Sequence, residues 1–233
     1  MYSQSARVYD ALCRRKDYAA ASLALRQVLQ RVAPDATTLL DVTCGTGLHL
    51  QHLRGHFRVE GLDLSPEMLD IARQRCVGIT LHEGTLVDFH LAGAFDVVTC
   101  MFGSIGYART VDNLHRAVRS MARHIRPRGA LVVEPWITPE RFISGKLVFD
   151  RVDDPDIKVA RMYVTCREGR LSVFDSDYLV CTAEGVQHFK ERQELGLFTD
   201  AEYRAAFLEG GLEVVDAEGD LFGYGLYVCQ APA

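Results

Sequence analysis

Apolar positions recur along this chain in two rhythms. Residues 1–36 follow the helical one: Val8, Tyr9 and Leu12 form one stripe, and Leu23, Leu25, Val28, Leu29 and Val32 form another within Tyr18–Val32. Pro34-Asp35 breaks the pattern. Thr38–Val42 is a short apolar run that ends in a glycine-rich turn, which predicts a buried strand feeding a loop. His49–Gly55 predicts a helix closed by its glycine. The alternation repeats with a strand over Phe57–Leu64 and a helix started by Ser65-Pro66-Glu67, a cap followed by proline at the first helical position. Strands follow at Gly78–His82 and Phe95–Met101, then a helix at Thr110–Ile125. A turn at Pro127-Arg128-Gly129 leads into a strand at Ala130–Glu134. Strands alternating with helices in this way predict a parallel sheet covered on both faces.

The texture changes after Trp136. Lys158–Cys166, Leu171–Cys181 and Val186–Leu197 alternate with the strand period and are separated by Arg-Glu-Gly and Ala-Glu-Gly turns, which predicts an antiparallel insert. Thr199–Gly210 is a capped helix, and Leu212–Ala217 with Gly225–Cys229 predict a closing hairpin. The segments expected are a helical lid (1–36), a ligand-binding core (37–136), the insert (137–197) and a closing unit (198–233).

Composition narrows the choice of function. The 233 residues carry 26 basic and 31 acidic side chains, a net charge of −5, without a basic tract. Such a chain is poorly suited to a nucleic-acid backbone, so no nucleic-acid partner is expected. No stretch approaches the ~18 apolar residues of a membrane span, and the polar start Met1-Tyr2-Ser3 does not read as a signal peptide. Seven scattered cysteines without CxxC spacing read as free thiols in a reducing cytoplasm, and no metal site is expected. His49, His52 and His56 share one helical face, read as solvated.

The chemistry concentrates in Asp41-Val-Thr-Cys-Gly45-Thr46-Gly47, followed by Gly61-Leu-Asp63-Leu64-Ser65. Glycines between a strand and a helix let a ligand approach the backbone, and an acid about 20 positions on suits ribose hydroxyls. Gly47 is followed by Leu48 rather than Lys, against a phosphate-binding loop, and Leu50 stands where a dinucleotide fold places a small residue. A nucleoside without phosphate, such as S-adenosylmethionine (SAM), fits what remains.

These residues resemble the class I SAM-dependent methyltransferases over essentially the whole chain. The resemblance narrows to the bacterial antibiotic-pathway enzymes that dimethylate nucleotide-linked amino-deoxysugars of the desosamine and mycaminose type. It is carried by Val8-Tyr9-Asp10, Lys16-Asp17-Tyr18-Ala19, Leu39–Gly47, Met101–Tyr107, Val132–Trp136 and Arg167-Glu168-Gly169. It implies an α/β, Rossmann-like fold with a mostly parallel seven-stranded sheet, an N-terminal helical lid and an antiparallel insert that suggests a homodimer. It also implies that Asp41, Gly45, Thr46 and Gly47 surround the methionine moiety and Asp63 with Leu64 holds the ribose. Met68, Thr85 and Leu86 then adjoin the adenine, and Met101 closes the donor end. Phe102, Trp136, Tyr163 and Tyr224 fall to a small-molecule acceptor. Tyr9, Tyr107, Glu134 and, as a base, His115 are the candidate catalytic groups. His124, in the last turn of its helix, suits the helix dipole.

The chain departs from the sugar enzymes in places. Cys13 stands near a pocket tyrosine of the relatives, Tyr163-Val164-Thr165 replaces a serine pattern, and Tyr224 replaces an arginine suited to phosphates. The expected reaction is N-methylation of an amino sugar. The alternative is C- or O-methylation of an aromatic acceptor such as an indole.

Overall fold

The computed structural model describes residues 4–217, 220–221 and 223–233. The opening Met1–Ser3 and Phe222 lie outside the described residues. Two helices come first, α1 (Ala6–Cys13) and α2 (Tyr18–Val32, its N-cap Asp17 accepting from the Ala20 N–H). The core then runs β1 (Thr38–Val42), α3 (Leu50–Leu53), β2 (Arg58–Asp63), α4 (Pro66–Arg75), β3 (Thr80–Glu83), β4 (Phe95–Cys100), a 3-10 turn (Ser104–Ala108), α5 (Val111–Ala122) and β5 (Ile125–Val133). The insert holds β6 (Leu147–Asp153), β7 (Lys158–Glu168), β8 (Leu171–Thr182) and β9 (Gly185–Gly196), and α6 (Asp200–Glu209), β10 (Glu213–Asp216) and β11 (Tyr227–Gln230) close the chain.

The main sheet has the order β3-β2-β1-β4-β5-β11-β10, with β1 to β5 parallel, β11 reversed against β5, and β10 antiparallel to β11 and so aligned with the rest. All five residues of β1 are buried, as a strand covered on both faces requires. One apolar layer packs α5 and α6 on one face, through Leu114, Val118, Met121, Tyr203 and Phe207. The other packs α2, α3 and α4, through Leu25, Leu29, Leu50, Leu53 and Leu69. Strand order reverses between β1 and β4, so the crevice at their carboxyl ends is where such a sheet receives a ligand.

The second sheet is β6-β7-β8-β9, antiparallel throughout. Strand β6 is absent from the sequence expectation, and its pattern explains why. Leu147 and Phe149 point outward and are exposed, while Asp150 points inward, so the usual polarity of a half-buried strand is inverted. The inner face carries Val152, Val159, Tyr178, Val180 and Phe189 against Val8 of α1.

Three further expectations are corrected. The Pro127–Gly129 turn is absorbed into β5 as an irregularity opposite Phe95–Val97, because Gly129 passes the backbone of Asp96 too closely for any side chain. His49 is not solvated: it is buried at the edge of Tyr18, within 3.2 Å of the Ser22 hydroxyl, and burial pushes its imidazole down to about 4. His124 does not serve the helix dipole as a cation. Its Nδ1–H donates to the Ser120 carbonyl (2.7 Å) and its Nε2 accepts from the Leu91 N–H (2.9 Å), so the ring is neutral, and burial lowers its pKa.

Candidate active site

A cavity of about 630 Å³ opens at the carboxyl ends of β1, β2 and β4 and runs to the inner face of the insert, with α1 as its roof. Backbone geometry builds its first end. Gly45 takes a φ of +56°, and a Cβ there would meet nothing within 4 Å, which is the clearance a ligand close to the backbone needs. Its N–H donates to Asp63 Oδ2 (2.8 Å), and the Ser65 N–H donates to Oδ1 (2.9 Å). Burial pushes the Asp63 carboxyl up and these backbone donors pull it back. Leu64, Met68, Thr85 and Leu86 continue this wall, with Met68 and Leu86 buried. An acid at a strand end, an open glycine and a flat apolar wall suit an adenosyl group.

Glycine and threonine of the same loop do other work. A Cβ on Gly47, at φ +79°, would lie 2.8 Å from the Cys76 sulfur, so this glycine serves the packing of loop on α4. The Thr46 hydroxyl donates to Asp10 Oδ1 (2.6 Å), and Arg75 reaches both Asp10 and the Thr46 carbonyl. The lid is thereby clipped to the glycine loop. Asp41 lies behind the cavity rather than on its wall. Its Oδ1 accepts from the Thr99 hydroxyl (2.8 Å), and burial pushes its carboxyl up to about 7. Met101 is likewise buried beside the wall and outside the lining.

Side chains build the second end. After β4 the chain turns left-handed at Phe102 (φ +61°) and Gly103 (φ +69°), and a Cβ on Gly103 would lie 2.7 Å from the Trp136 ring. The buried Glu134 holds this turn, its Oε2 accepting from the Phe102 N–H (2.6 Å). The Trp136 indole donates to the Ser172 hydroxyl (2.8 Å). Around it stand Tyr224 at 5.3 Å and Phe174 at 6.0 Å between ring centroids, and Tyr163 lies 5.2 Å from Phe174. Tyr9 and Tyr107 also line the cavity. The Lys16 ammonium sits 3.2 Å from the Phe102 ring centroid, and burial lowers its pKa.

A family description, methyltransferase domain, matches residues 39–129. The chain is 42% identical to the dTDP-3-amino-3,4,6-trideoxy-alpha-D-glucopyranose N,N-dimethyltransferase of Streptomyces venezuelae, covering 95% of both chains. It is 41% identical to the dTDP-3-amino-3,6-dideoxy-alpha-D-glucopyranose N,N-dimethyltransferase of Streptomyces fradiae, covering 91% of this chain and 84% of that one. Among solved structures it is similar to a SAM-bound amino pentose methyltransferase from Micromonospora echinaspora involved in calicheamicin biosynthesis. That match has 40% identity, a TM-score of 0.85 and coverage of 96% and 94%. The chain belongs to this family of SAM-dependent sugar N-methyltransferases.

Within the methyltransferase, the expected residues separate into groups. Gly45, Asp63, Leu64, Met68, Thr85, Leu86, Phe102, Trp136, Tyr163, Tyr224, Tyr9 and Tyr107 converge on the one cavity. Asp41, Thr46, Gly47, Met101 and Glu134 stand directly behind it. His115 is on the outside: its Nδ1 is 2.5 Å from Glu209, which also binds Arg119, so it faces α6 and not the cavity. The position of His115 near the start of its helix suggested otherwise; helix phase turns the side chain away.

Lys16, Asp150, Arg161 and Gln193 also line the cavity, without an expected site role. Lys16 follows the first helical stripe, and the sequence places it among the residues that carry the family resemblance without giving it a role. Arg161 donates to Asp150 from Nε (2.9 Å) and a terminal nitrogen (2.5 Å), and this pair and Gln193 face inward from the insert. Only the inward phase of their strands marks them, and that phase depends on where the insert docks.

Proposed function

We propose that this methyltransferase transfers a methyl group from SAM to the amine of a nucleotide-linked amino-deoxysugar. The carrying observation is the single cavity that joins the Gly45–Asp63 end to the aromatic wall of Trp136, Phe174, Tyr163 and Tyr224. The two relatives from Streptomyces, named for dTDP-linked amino-deoxysugars, support the acceptor class.

When bound, SAM supplies an electrophilic methyl group on a sulfonium. The protein's part is chiefly to hold a neutral amine in line with it, since positioning supplies much of the acceleration in such a transfer. Asp63 takes the ribose hydroxyls, and Gly45 leaves room for the backbone to approach the methionine moiety. The left-handed Phe102-Gly103 turn sets the boundary between donor and acceptor. Glu134 acts through that turn, as a positioning residue. Tyr9 and Tyr107 present phenols that accept the hydrogen bond of the amine and stabilise the ammonium formed. Lys16 and Arg161 put cationic groups on the acceptor wall, which answers the loss of an arginine at Tyr224.

The functional division follows: residues 1–36 as lid, 37–136 as cofactor core, 137–197 as acceptor and assembly insert, 198–233 as closing unit. The free state of all seven cysteines, including the exposed Cys166, supports a reducing cytoplasm. The outer face of the insert exposes Leu147 (80%), Phe149 (60%) and Val186 (63%), which supports a homodimer closed by this sheet. Light scattering reads that assembly directly.

Incubation with SAM and a dTDP-linked 3-amino-deoxysugar, followed by mass spectrometry, tests the reaction. We expect one or two methyl increments on the sugar and an equal yield of S-adenosylhomocysteine. Protein that binds S-adenosylhomocysteine yet modifies no amino sugar would reject the acceptor. Absence of binding would reject the reaction.

A further inference from the structure

We propose that Gln193 selects the acceptor by hydrogen bonding to a ring hydroxyl of the sugar, an inference that rests on the amino-sugar reading above. Strand β9 turns Phe189, Glu191, Gln193 and Leu195 to the inner face of the insert. Three of these are engaged by the protein itself. Phe189 stacks on Tyr178. Glu191 Oε1 accepts from the Gln4 N–H (2.8 Å) and the Ser5 N–H (3.1 Å), which holds the start of α1 against the insert. Leu195 packs so tightly on Gly106 that a Cβ there would lie 3.0 Å from it.

Gln193 is different. It is 8% exposed, it lines the cavity, and its amide nitrogen has no hydrogen-bond partner among the described residues. A buried amide left unpaired is costly, so a glutamine held here is explained by a group that arrives with the ligand. Its surroundings identify the group. Gln193 pairs across the ladder with Phe174, which is part of the aromatic wall with Trp136 and Tyr163. Aromatic faces beside a buried amide match a saccharide, which offers apolar C–H faces and hydroxyl edges together. A hydroxyl both donates and accepts, so it satisfies the amide in either of its two flipped orientations. Arg161, already bonded to Asp150, is less available for the same task.

The test compares acceptors that differ in one hydroxyl. Nucleotide-linked 3-amino-3,6-dideoxyglucose is assayed beside its 2-deoxy and 4-deoxy counterparts, with the wild type, Gln193→Leu and Gln193→Met. The wild type is expected to favour the fully hydroxylated sugar over one counterpart by about tenfold or more in kcat/KM. Both variants are expected to lose that preference while keeping the wild-type thermal shift with S-adenosylhomocysteine. Methionine preserves the length of glutamine, so it stands in if leucine disturbs the fold. A preference that survives in the variants, or is absent from the wild type, overturns the role of Gln193. A wild type that binds S-adenosylhomocysteine but methylates none of the three sugars rejects the function itself, and the inference with it.

Discussion

The two ends of the cavity are built by different means. At the parallel sheet, the ends of β1 and β2 and their loops place Gly45 and Asp63 eighteen residues apart in sequence and one hydrogen bond apart in space. At the insert, the wall is assembled from Trp136, Tyr163, Phe174, Gln193 and Tyr224, which come from five stretches of chain with no common motif. The first end depends on backbone conformation and tolerates little change. The second depends on side chains over a sheet, which can be exchanged singly to suit another acceptor. Such a division lets one methyl-donor site serve many acceptors.

The largest effect is expected at the backbone-built end. Asp63→Ala removes the acceptor of the Gly45 and Ser65 N–H groups as well as the proposed ribose contact. Calorimetry is expected to show S-adenosylhomocysteine binding weakened by about a hundredfold, as for the loss of hydrogen bonds to a charged group. Trp136→Ala, at the other end, should leave that affinity within a few-fold of wild type. Equal losses in both would dissolve the division.

Next comes the pH dependence of stability, which the same half of the molecule should dominate. Buried Asp41, raised to about 7, keeps a proton in the native state that the unfolded chain has lost above about pH 4. Its contribution therefore favours acid and is lost as pH rises towards 7. Buried His49, lowered to about 4, stays neutral while the unfolded chain takes up a proton below about pH 6.5. Its contribution is lost as pH falls. Between about pH 4 and 6.5 the two slopes oppose each other at ~1.4 kcal/mol per pH unit apiece. Asp41→Asn should therefore lose stability towards pH 4, and His49→Asn should lose it towards pH 7. Urea titrations at several pH values check both, and parallel curves for the two variants would refute the assignment.

The smallest effect concerns the element that touches both ends. Asp10 clips α1 to Thr46 and Arg75, while Glu191 holds the start of α1 to the insert. Asp10→Asn weakens a half-exposed pair, worth ~1 kcal/mol or less. The KM for SAM should rise several-fold with kcat little changed. A larger change in the acceptor KM than in the SAM KM would show that the lid belongs to the insert alone.

Legibility in the sequence followed the same boundary. The β1 loop, the Asp63 strand end and the Ser65 cap are local: spacing and residue type specify them, and the structure has Ser65 accepting from the Met68 N–H as a cap does. His115 misled because its distance along the chain from Tyr107 says nothing of which way its helix faces. Strand β6 was missed because its apolar side chains face out, which reverses the pattern that marks a strand. Gln193 and Arg161 are ordinary polar letters of an alternating strand until the insert is docked.

By itself, then, the sequence determined the alternating α/β core, the glycine loop after β1 and the methyltransferase family, because each rests on residue patterns within a few tens of positions. The tertiary structure decided which side chains share the cavity. It put Lys16, Arg161 and Gln193 on the wall, Glu134 and Asp41 behind it, and His115 outside. The physical reason is that inward and outward phase on a helix or strand is set by what the element packs against. For α1 and the insert, that partner is another part of the chain more than a hundred residues away.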